Sequence, residues 1–218
     1  MDSSFSLSRR RLLKWSGAAA TVAVAGGLLP NFGMSAALAA DLGEGDIGVL
    51  NYAYALEQLE AAFYTMVVKT PYTGMSDDEK SLLTDIMDHE VAHRDFLKTA
   101  LGDKAIGDLE VDFSVVDFTS RDAVLGTAKV FEDLGVSAYN GAGKLIQNPD
   151  YLLAAGKIVS IEARHAATIR DLLQPNSPSF AGYDIIDKNG LDLVNEPAAV
   201  LKAAGPFIKT AFTANSLV

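Results

Sequence analysis

Two short motifs in the sequence combine side chains that bind metal ions. Each reads Glu-x-x-His, formed first by Glu90 and His93 and again by Glu162 and His165. Three residues is close to one helical turn, so both side chains of a pair project from one face of a helix. The other residues of these faces are apolar, and an ionised carboxylate on an apolar stripe is costly unless it is paired or metal-bound. The motifs therefore predict a buried metal site.

A matching glutamate and tyrosine precede each motif. Glu57 and Tyr64 are seven residues apart, as are Glu132 and Tyr139, and both segments read Glu-x-Leu-x-x-x-x-Tyr. Seven residues is about two helical turns, so glutamate and tyrosine share a face. This glutamate precedes the glutamate of the following motif by 33 residues in the first half and by 30 in the second. Two such helical hairpins, packed about a pseudo-twofold axis, would bring four glutamates and two histidines to one centre.

The first helix offers two candidate glutamates, Glu57 and Glu60. When the two hairpins are superimposed by sequence, Glu57 falls on Glu132, whereas Glu60 falls on Gly135. We therefore predict Glu57 as the ligand and keep Glu60 as an alternative ligand or as a residue that supports one. The predicted ligands are Glu57, Glu90, His93, Glu132, Glu162 and His165.

The donor types select the metal. The chain contains no cysteine, which excludes disulfides, thiolate zinc sites, iron–sulfur clusters and thiol catalysis. Carboxylate and imidazole donors suit iron or manganese, and four carboxylates neutralise the charge of two divalent ions. We expect two iron or two manganese ions and no organic cofactor.

Three further residues lie close to the predicted ligands. Tyr64 and Tyr139 are expected to pack with their hydroxyl groups bonded to ligands, and a catalytic redox role is the alternative. His89 is adjacent to Glu90 but lies about 100° round the helix. It is predicted to be a boundary or surface residue, with a role as ligand as the alternative.

Four helical segments position these residues. We predict helices over residues 46–69, from a capping box at Ser76 to Leu101, from Thr119 or Ser120 to about Gln147, and from Pro149 to about Leu173. The connection over 103–118 is long and the other two are short. This pattern predicts an all-α antiparallel four-helix bundle over 40–174, with a long crossover between helices 2 and 3. Residues 175–218 are predicted to form a C-terminal extension that packs on the bundle and contains one short helix near 197–204.

The first 39 residues have the features of an export signal. Three arginines at 9–11 precede an apolar run over 15–29, Pro30 ends that run, and Ala-Leu-Ala at 37–39 provides a cleavage site. The paired arginines are typical of the twin-arginine pathway. A membrane anchor is the alternative, but the apolar run is short for a span. We predict export by the twin-arginine machinery to the periplasm or beyond.

The charge balance excludes one class of partner. The chain of 218 residues has 18 basic and 28 acidic side chains and a net charge of −10. Removal of the predicted leader leaves −13 on residues 40–218. So acidic a surface argues against a nucleic-acid-binding protein.

The sequence resembles bacterial ferritin-like domain proteins, the group that includes desiccation-related proteins. The resemblance lies in residues 50–64, 88–93 and 161–167 and covers about 45–174. It implies a dinuclear centre in which Glu90 and Glu162 bridge and Glu57 and Glu132 are terminal ligands. It also implies handling of Fe(II), O₂ or peroxide in oxidative or desiccation stress, by ferroxidase-, peroxidase- or catalase-like chemistry.

Several departures from the family narrow these expectations. Without cysteine there is no rubredoxin-like iron site, and Val91 stands where bacterioferritin-like chains carry the haem-binding Met, so no haem is expected. The extension does not resemble the short fifth helix of cage-forming ferritins. The alternative function is a non-enzymatic stress-protective or interaction protein with a structural or degenerate metal site. Assembly as a homo-oligomer stays open.

Overall fold

In the computed structural model of the chain, the described residues are 40–213 and 217. The predicted export signal over residues 1–39 lies outside them. Four long helices dominate the described part: α1 (Gly45–Lys69), α2 (Asp77–Leu101), α3 (Arg121–Ala142) and α4 (Pro149–Leu173). A short helix, α5 (Pro197–Ala204), follows in the C-terminal region. The all-α four-helix bundle predicted from the sequence is confirmed.

The helix starts follow the capping signals in the sequence. Ser76 and Glu79 form the predicted capping box, in which each side chain accepts a hydrogen bond from the backbone of the other residue. Asn148 caps α4, and Pro149 occupies its first turn. The end of α3 was wrongly placed near Gln147: the helix ends at Ala142 and a 3₁₀ turn, Gly143–Leu145, follows. This tighter turn leads to Gln147 and Asn148, whose backbone N–H groups both donate to Asp46 of α1.

Helix α1 is the most deeply buried element. Every residue from Gly48 to Ala61 is buried, so this helix packs on several sides instead of along one stripe. Helix α2 is the opposite case, since only five of its residues are buried: Leu83, Ile86, Glu90, Leu97 and Leu101. Leu82, which directly precedes Leu83 and is also apolar, is 39% exposed. Glu90 thus lies in the narrow buried face of an otherwise exposed helix.

The long crossover between α2 and α3 is anchored to α1 by two amide side chains. Asn51 donates to the carbonyl groups of Leu42 and Lys104 and accepts from the N–H of Ile106. About two turns further along α1, Gln58 accepts a hydrogen bond from the N–H of Leu109. The crossover also supplies Phe113, which packs with Phe63, Phe131 and Phe207.

The residues after α4 contact the bundle through hydrogen bonds and ion pairs. Arg170 of α4, only 1% exposed, binds Asp133 of α3 and also Asp184 and the Ser179 carbonyl beyond the helix. Near the two ends of the described residues, β1 (Ala40–Asp41) pairs in parallel with β2 (Phe212–Thr213). Across the described residues, none of the helices combines the length and the apolar character needed to cross a membrane.

Candidate metal centre

All six predicted ligands meet in the middle of the bundle, and each long helix contributes. Glu57 is on α1, Glu90 and His93 are on α2, Glu132 is on α3, and Glu162 and His165 are on α4. The four glutamates are completely buried, and the two histidine side chains are 14% and 5% exposed. The helical hairpin repeat read from the sequence therefore brings the six side chains together.

The cluster divides into two overlapping groups. Within each group, the possible ligand atoms all lie within 4.8 Å of one another. One group contains Glu57, Glu90, His93 and Glu162, and the other contains Glu90, Glu132, Glu162 and His165. Glu90 and Glu162 belong to both groups, whereas each of the other four residues belongs to one. Each group has three carboxylates and one imidazole, a set suited to iron or manganese.

The two histidines face the centre through Nδ1. His93 Nδ1 is 2.9 Å from Glu162 Oε1 and 3.6 Å from Glu90 Oε2. His165 Nδ1 is 2.7 Å from Glu90 Oε1 and 3.9 Å from Glu162 Oε2. Each histidine thus approaches the two shared glutamates and one glutamate of its own group.

Most atoms of this cluster are close to one another but do not point at one another. Eight buried side-chain atoms of the six residues lack a well-aligned hydrogen-bond partner, namely Glu57 Oε2, both carboxylate oxygens of Glu90 and Glu162, Glu132 Oε2, and Nδ1 of both histidines. Buried polar groups are normally satisfied. Lone pairs that converge on a common point, without pairing with each other, are what a bound cation would satisfy. The residues present fit a dinuclear metal centre.

Burial and mutual contact shift the pKa values of the clustered carboxylates in different directions. Burial and the Glu162 carboxylate raise the pKa of Glu57 well above its ordinary value. Burial also raises the pKa of Glu132 to about 8, against the hydrogen bond from His165, and the charges of Glu90 and Glu162 add to the increase. Glu90 behaves differently: burial would raise its pKa, but contacts with His165 and His93 hold it at about 2. The buried carboxylates therefore differ in protonation, since Glu57 and Glu132 favour the protonated form and Glu90 favours the ionised form.

The histidines carry protons in this environment. Burial would lower the pKa of His93, but the Glu162 and Glu57 carboxylates raise it to about 12. Burial would also lower the pKa of His165, but the Glu132 and Glu162 carboxylates raise it to about 12. A metal ion at Nδ1 has to displace these protons, so metal binding will release them to solvent.

The alternative ligand Glu60 also lies at the cluster, and Gly135 makes room for it. Burial and the charges of Glu162 and Glu90 raise the pKa of Glu60 well above its ordinary value. Its Oε1 lies 3.3 Å from the position that a Cβ on Gly135 would occupy. Glu60 and Gly135 are equivalent positions in the sequence repeat and are also close in space. The Glu60 carboxylate of the first hairpin fills the room that Gly135 of the second hairpin leaves, because glycine has no side chain. Glu60 belongs to neither of the two groups described above.

The two tyrosines connect the hairpins reciprocally. The Tyr64 hydroxyl of α1 donates to Glu132 of α3, and the Tyr139 hydroxyl of α3 donates to Glu57 of α1. Burial raises the pKa of both tyrosines, and so does the carboxylate that each one contacts. Both hydroxyl groups therefore keep their protons and act as donors to the two glutamates that are not shared between the groups.

His89 is closer to the centre than the sequence suggested. It is an exposed residue, as predicted, but its Nδ1 is 2.9 Å from Nε2 of His165. It belongs to neither candidate ligand group. The signal available in the sequence was its spacing from His93, since residues four apart lie on the same side of a helix.

Comparison with known proteins agrees with the fold. No curated protein gave a significant match to this sequence. The ferritin-like domain family, however, matches residues 45–175, which include all four long helices and all six predicted ligands. The chain therefore belongs to the ferritin-like domain family.

Proposed function

We propose that this protein is a dinuclear iron or manganese protein that handles Fe(II), O₂ or peroxide in oxidative or desiccation stress. One observation carries the proposal: eight buried ligand atoms of four glutamates and two histidines, none with a well-aligned hydrogen-bond partner, converge in the bundle. Paired ions in such a site suit reactions that act on two bonded oxygen atoms.

In this proposal the ligands have distinct roles. Glu90 and Glu162, which belong to both groups, would help to hold both ions, and Glu57 and Glu132 would each help to hold one. His93 and His165 would each hold one ion through Nδ1, the atom that faces the centre. Bound iron or manganese would supply one-electron redox chemistry. Because the chain has no cysteine relay, the electrons for any net reduction come from outside it.

The surrounding residues orient these ligands and exclude water. Tyr64 and Tyr139 hold Glu132 and Glu57 through hydrogen bonds, which fixes the carboxylate planes. Their protonated hydroxyl groups support this positioning role over a redox role. Apolar side chains on the same helix faces, such as Ile86 and Ile169, are buried and keep the centre dry.

The proposal is tested by metal analysis followed by turnover. Protein purified from its exporting host is analysed by mass spectrometry for bound metals, and Fe²⁺ oxidation and peroxide consumption are then measured. Glu90→Ala removes a shared ligand and should abolish both metal retention and turnover. Asp85→Asn, on the exposed side of the same helix, is the matched control and should leave both unchanged.

Two results would contradict the proposal in different ways. Protein that retains no iron or manganese would exclude the dinuclear centre. Full metal loading without turnover in any of the assays would instead support the alternative of a stress-protective protein with a structural site.

We also propose that the protein is exported through the twin-arginine pathway and acts in the periplasm or outside the cell. The sequence pattern over residues 1–39 supports this location. The twin-arginine route would suit a bundle that receives its metal before export.

A further inference from the structure

One contact gives the two histidines of the centre different surroundings. His165 Nδ1 faces the glutamates, and its other ring nitrogen, Nε2, lies 2.9 Å from His89 Nδ1. The two rings lie side by side, with centroids 5.2 Å apart and planes within 10° of each other. His89 comes from α2 and His165 from α4, so the contact also joins two helices of different hairpins.

We propose that His89 is a positioning residue that fixes the tautomer and ring plane of His165 and makes this half of the centre the stronger metal site. The inference rests on the proposed dinuclear centre. It assigns to His89 no contact with the ions themselves, because His89 belongs to neither ligand group.

The two nitrogens of each imidazole ring have different roles in this contact. A metal ion at His165 needs the lone pair of Nδ1, so the proton of the neutral ring must be on Nε2. That Nε2–H then donates to His89 Nδ1, which must offer its own lone pair. His89 consequently carries its proton on Nε2, and as an exposed residue it can donate that proton to water. One hydrogen bond thus sets the tautomers of both rings. Partners of this kind are worth about 10–100-fold in metal affinity.

The pseudo-symmetric position lacks such a partner. His89 directly precedes the glutamate of its Glu-x-x-His motif, and the residue that precedes the other motif is Ile161. An isoleucine side chain has no polar atom, so it cannot hold His93 as His89 holds His165. His93 is also the more exposed of the two ligand histidines, at 14% against 5%. The two halves of the centre therefore differ in how firmly their imidazoles are held.

The test compares two substitutions of His89 in the metal-free full chain. His89→Phe keeps a planar ring of similar size but has no acceptor. His89→Asn is the matched control, because its Oδ1 is attached to Cγ as Nδ1 is in histidine and accepts a hydrogen bond from about the same place. Each protein is titrated with Mn²⁺ in a calorimeter. We expect wild type and His89→Asn to bind two ions in two steps, and His89→Phe to lose about 10–100-fold in the tighter step.

A second measurement does not depend on affinity or turnover. Zinc is used as a diamagnetic probe, and the ring nitrogens of the zinc-loaded proteins are recorded by NMR. We expect a slowly exchanging Nε2 proton on His165 in wild type and His89→Asn, and its loss in His89→Phe. Melting curves of the metal-free proteins verify that both variants fold.

The outcomes separate this inference from the proposed function. If wild type binds no ions, the dinuclear centre and this inference both fail. If wild type binds two ions and His89→Phe binds them equally well, only the role of His89 is overturned. Equal losses in His89→Phe and His89→Asn would also overturn it, since the acceptor would then not matter.

Discussion

Among single residues, Tyr64 and Tyr139 hold glutamates by hydrogen bonds, and this role can be tested separately from the packing of their rings. Each donates to the glutamate of the opposite hairpin, so removal of one hydroxyl leaves a buried carboxylate oxygen without its donor. We expect Tyr64→Phe and Tyr139→Phe each to weaken metal binding by about tenfold. Each should also cost roughly 1–2 kcal/mol in the free energy of unfolding of the loaded protein.

Tyr52 provides the control for this prediction. It is also buried in α1, but its hydroxyl has no hydrogen-bond partner. Tyr52→Phe should therefore leave metal affinity unchanged and should not destabilise the protein. Calorimetric titration and urea unfolding measure both quantities, and equal effects of all three substitutions would refute the role given to Tyr64 and Tyr139.

The metal-free protein should lose stability as the pH rises. Burial raises the folded-state pKa of Glu132 from 4.5 to about 8, so its contribution is complete below pH 4.5 and is lost as the pH rises through 8. The pKa values of His93 and His165 rise from 6.5 to about 12, so their contributions are complete below pH 6.5 and decline above it. Between pH 6 and 9, both effects lower the free energy of unfolding as the pH rises.

We expect the metal-free protein to be less stable at pH 9 than at pH 6, because each pKa unit by which folding raises one of these groups is worth about 1.4 kcal/mol. Urea unfolding of chelator-treated protein at the two pH values measures the difference. Metal affinity should change in the opposite direction and increase with pH, because the ions displace protons. A metal-free protein that is more stable at pH 9 would show that the cluster is not protonated as described.

Glu57 and Glu60 can be distinguished by substitution to glutamine. Glu57 belongs to a ligand group and Glu60 to neither, although both are buried with raised pKa values. We expect Glu57→Gln to lose at least about tenfold in metal affinity. Glu60→Gln should keep two ions and should stabilise the metal-free protein at pH 8, since it removes one of five clustered carboxylates. The reverse result in the calorimeter would identify Glu60 as the ligand.

Much of the centre could be predicted from the sequence because its residues repeat. The spacing of glutamate, tyrosine and Glu-x-x-His indicates one face of each helix. The repeat also favours Glu57 over Glu60 as the ligand, because Glu60 aligns with Gly135. The same repeat gave no indication of His89, because its counterpart is Ile161. A contact that exists in only one half leaves no periodic signal.

At the scale of elements, Arg170 links α4 to the segment that follows it. The guanidinium group is almost fully buried and binds Asp133 on one side and Asp184 on the other. We expect Arg170→Met to cost about 2–3 kcal/mol in the free energy of unfolding, because the loss of one partner leaves the other charges partly buried. Limited proteolysis should then cut within residues 175–195 more readily.

The exposed pair of Lys144 and Glu196 is a suitable comparison. It also joins the bundle to the C-terminal region, at 2.6 Å, but both side chains are more than half exposed. Lys144→Met should cost less than about 1 kcal/mol. If the two substitutions destabilised the protein equally in urea, burial would not be the reason for the effect of Arg170.

The helices were predictable from local signals, but the attachments between them were not. Apolar periodicity and caps locate α1, α2 and α4 almost to the residue. Asn51 and Gln58, in contrast, interact with backbone groups about fifty residues away, and no local pattern announces such a partner. The end of α3 was misplaced for the same reason, since Asp46 of a distant helix binds the turn that follows it.

At the scale of the whole molecule, the proposed export has a direct test. Protein recovered from the periplasm or medium of its host should begin at Ala40, and a start at Asp41 would equally exclude a membrane tether. Intact-mass spectrometry and amino-terminal sequencing measure this start. Recovery of the chain with Met1 or the leader intact, and only from membranes, would contradict export with cleavage.

The pairing of β1 with β2 has a consequence for the connectivity of the chain. Ala40 lies opposite Phe212, and the Ala40 N–H donates to the carbonyl of Ala211 at 2.8 Å. The two ends of the folded unit are therefore neighbours, and a short linker could join them into a ring. New ends could then be opened in the Pro-rich stretch at 175–178, and such a circular permutant should retain the bundle and the cluster of six predicted ligands.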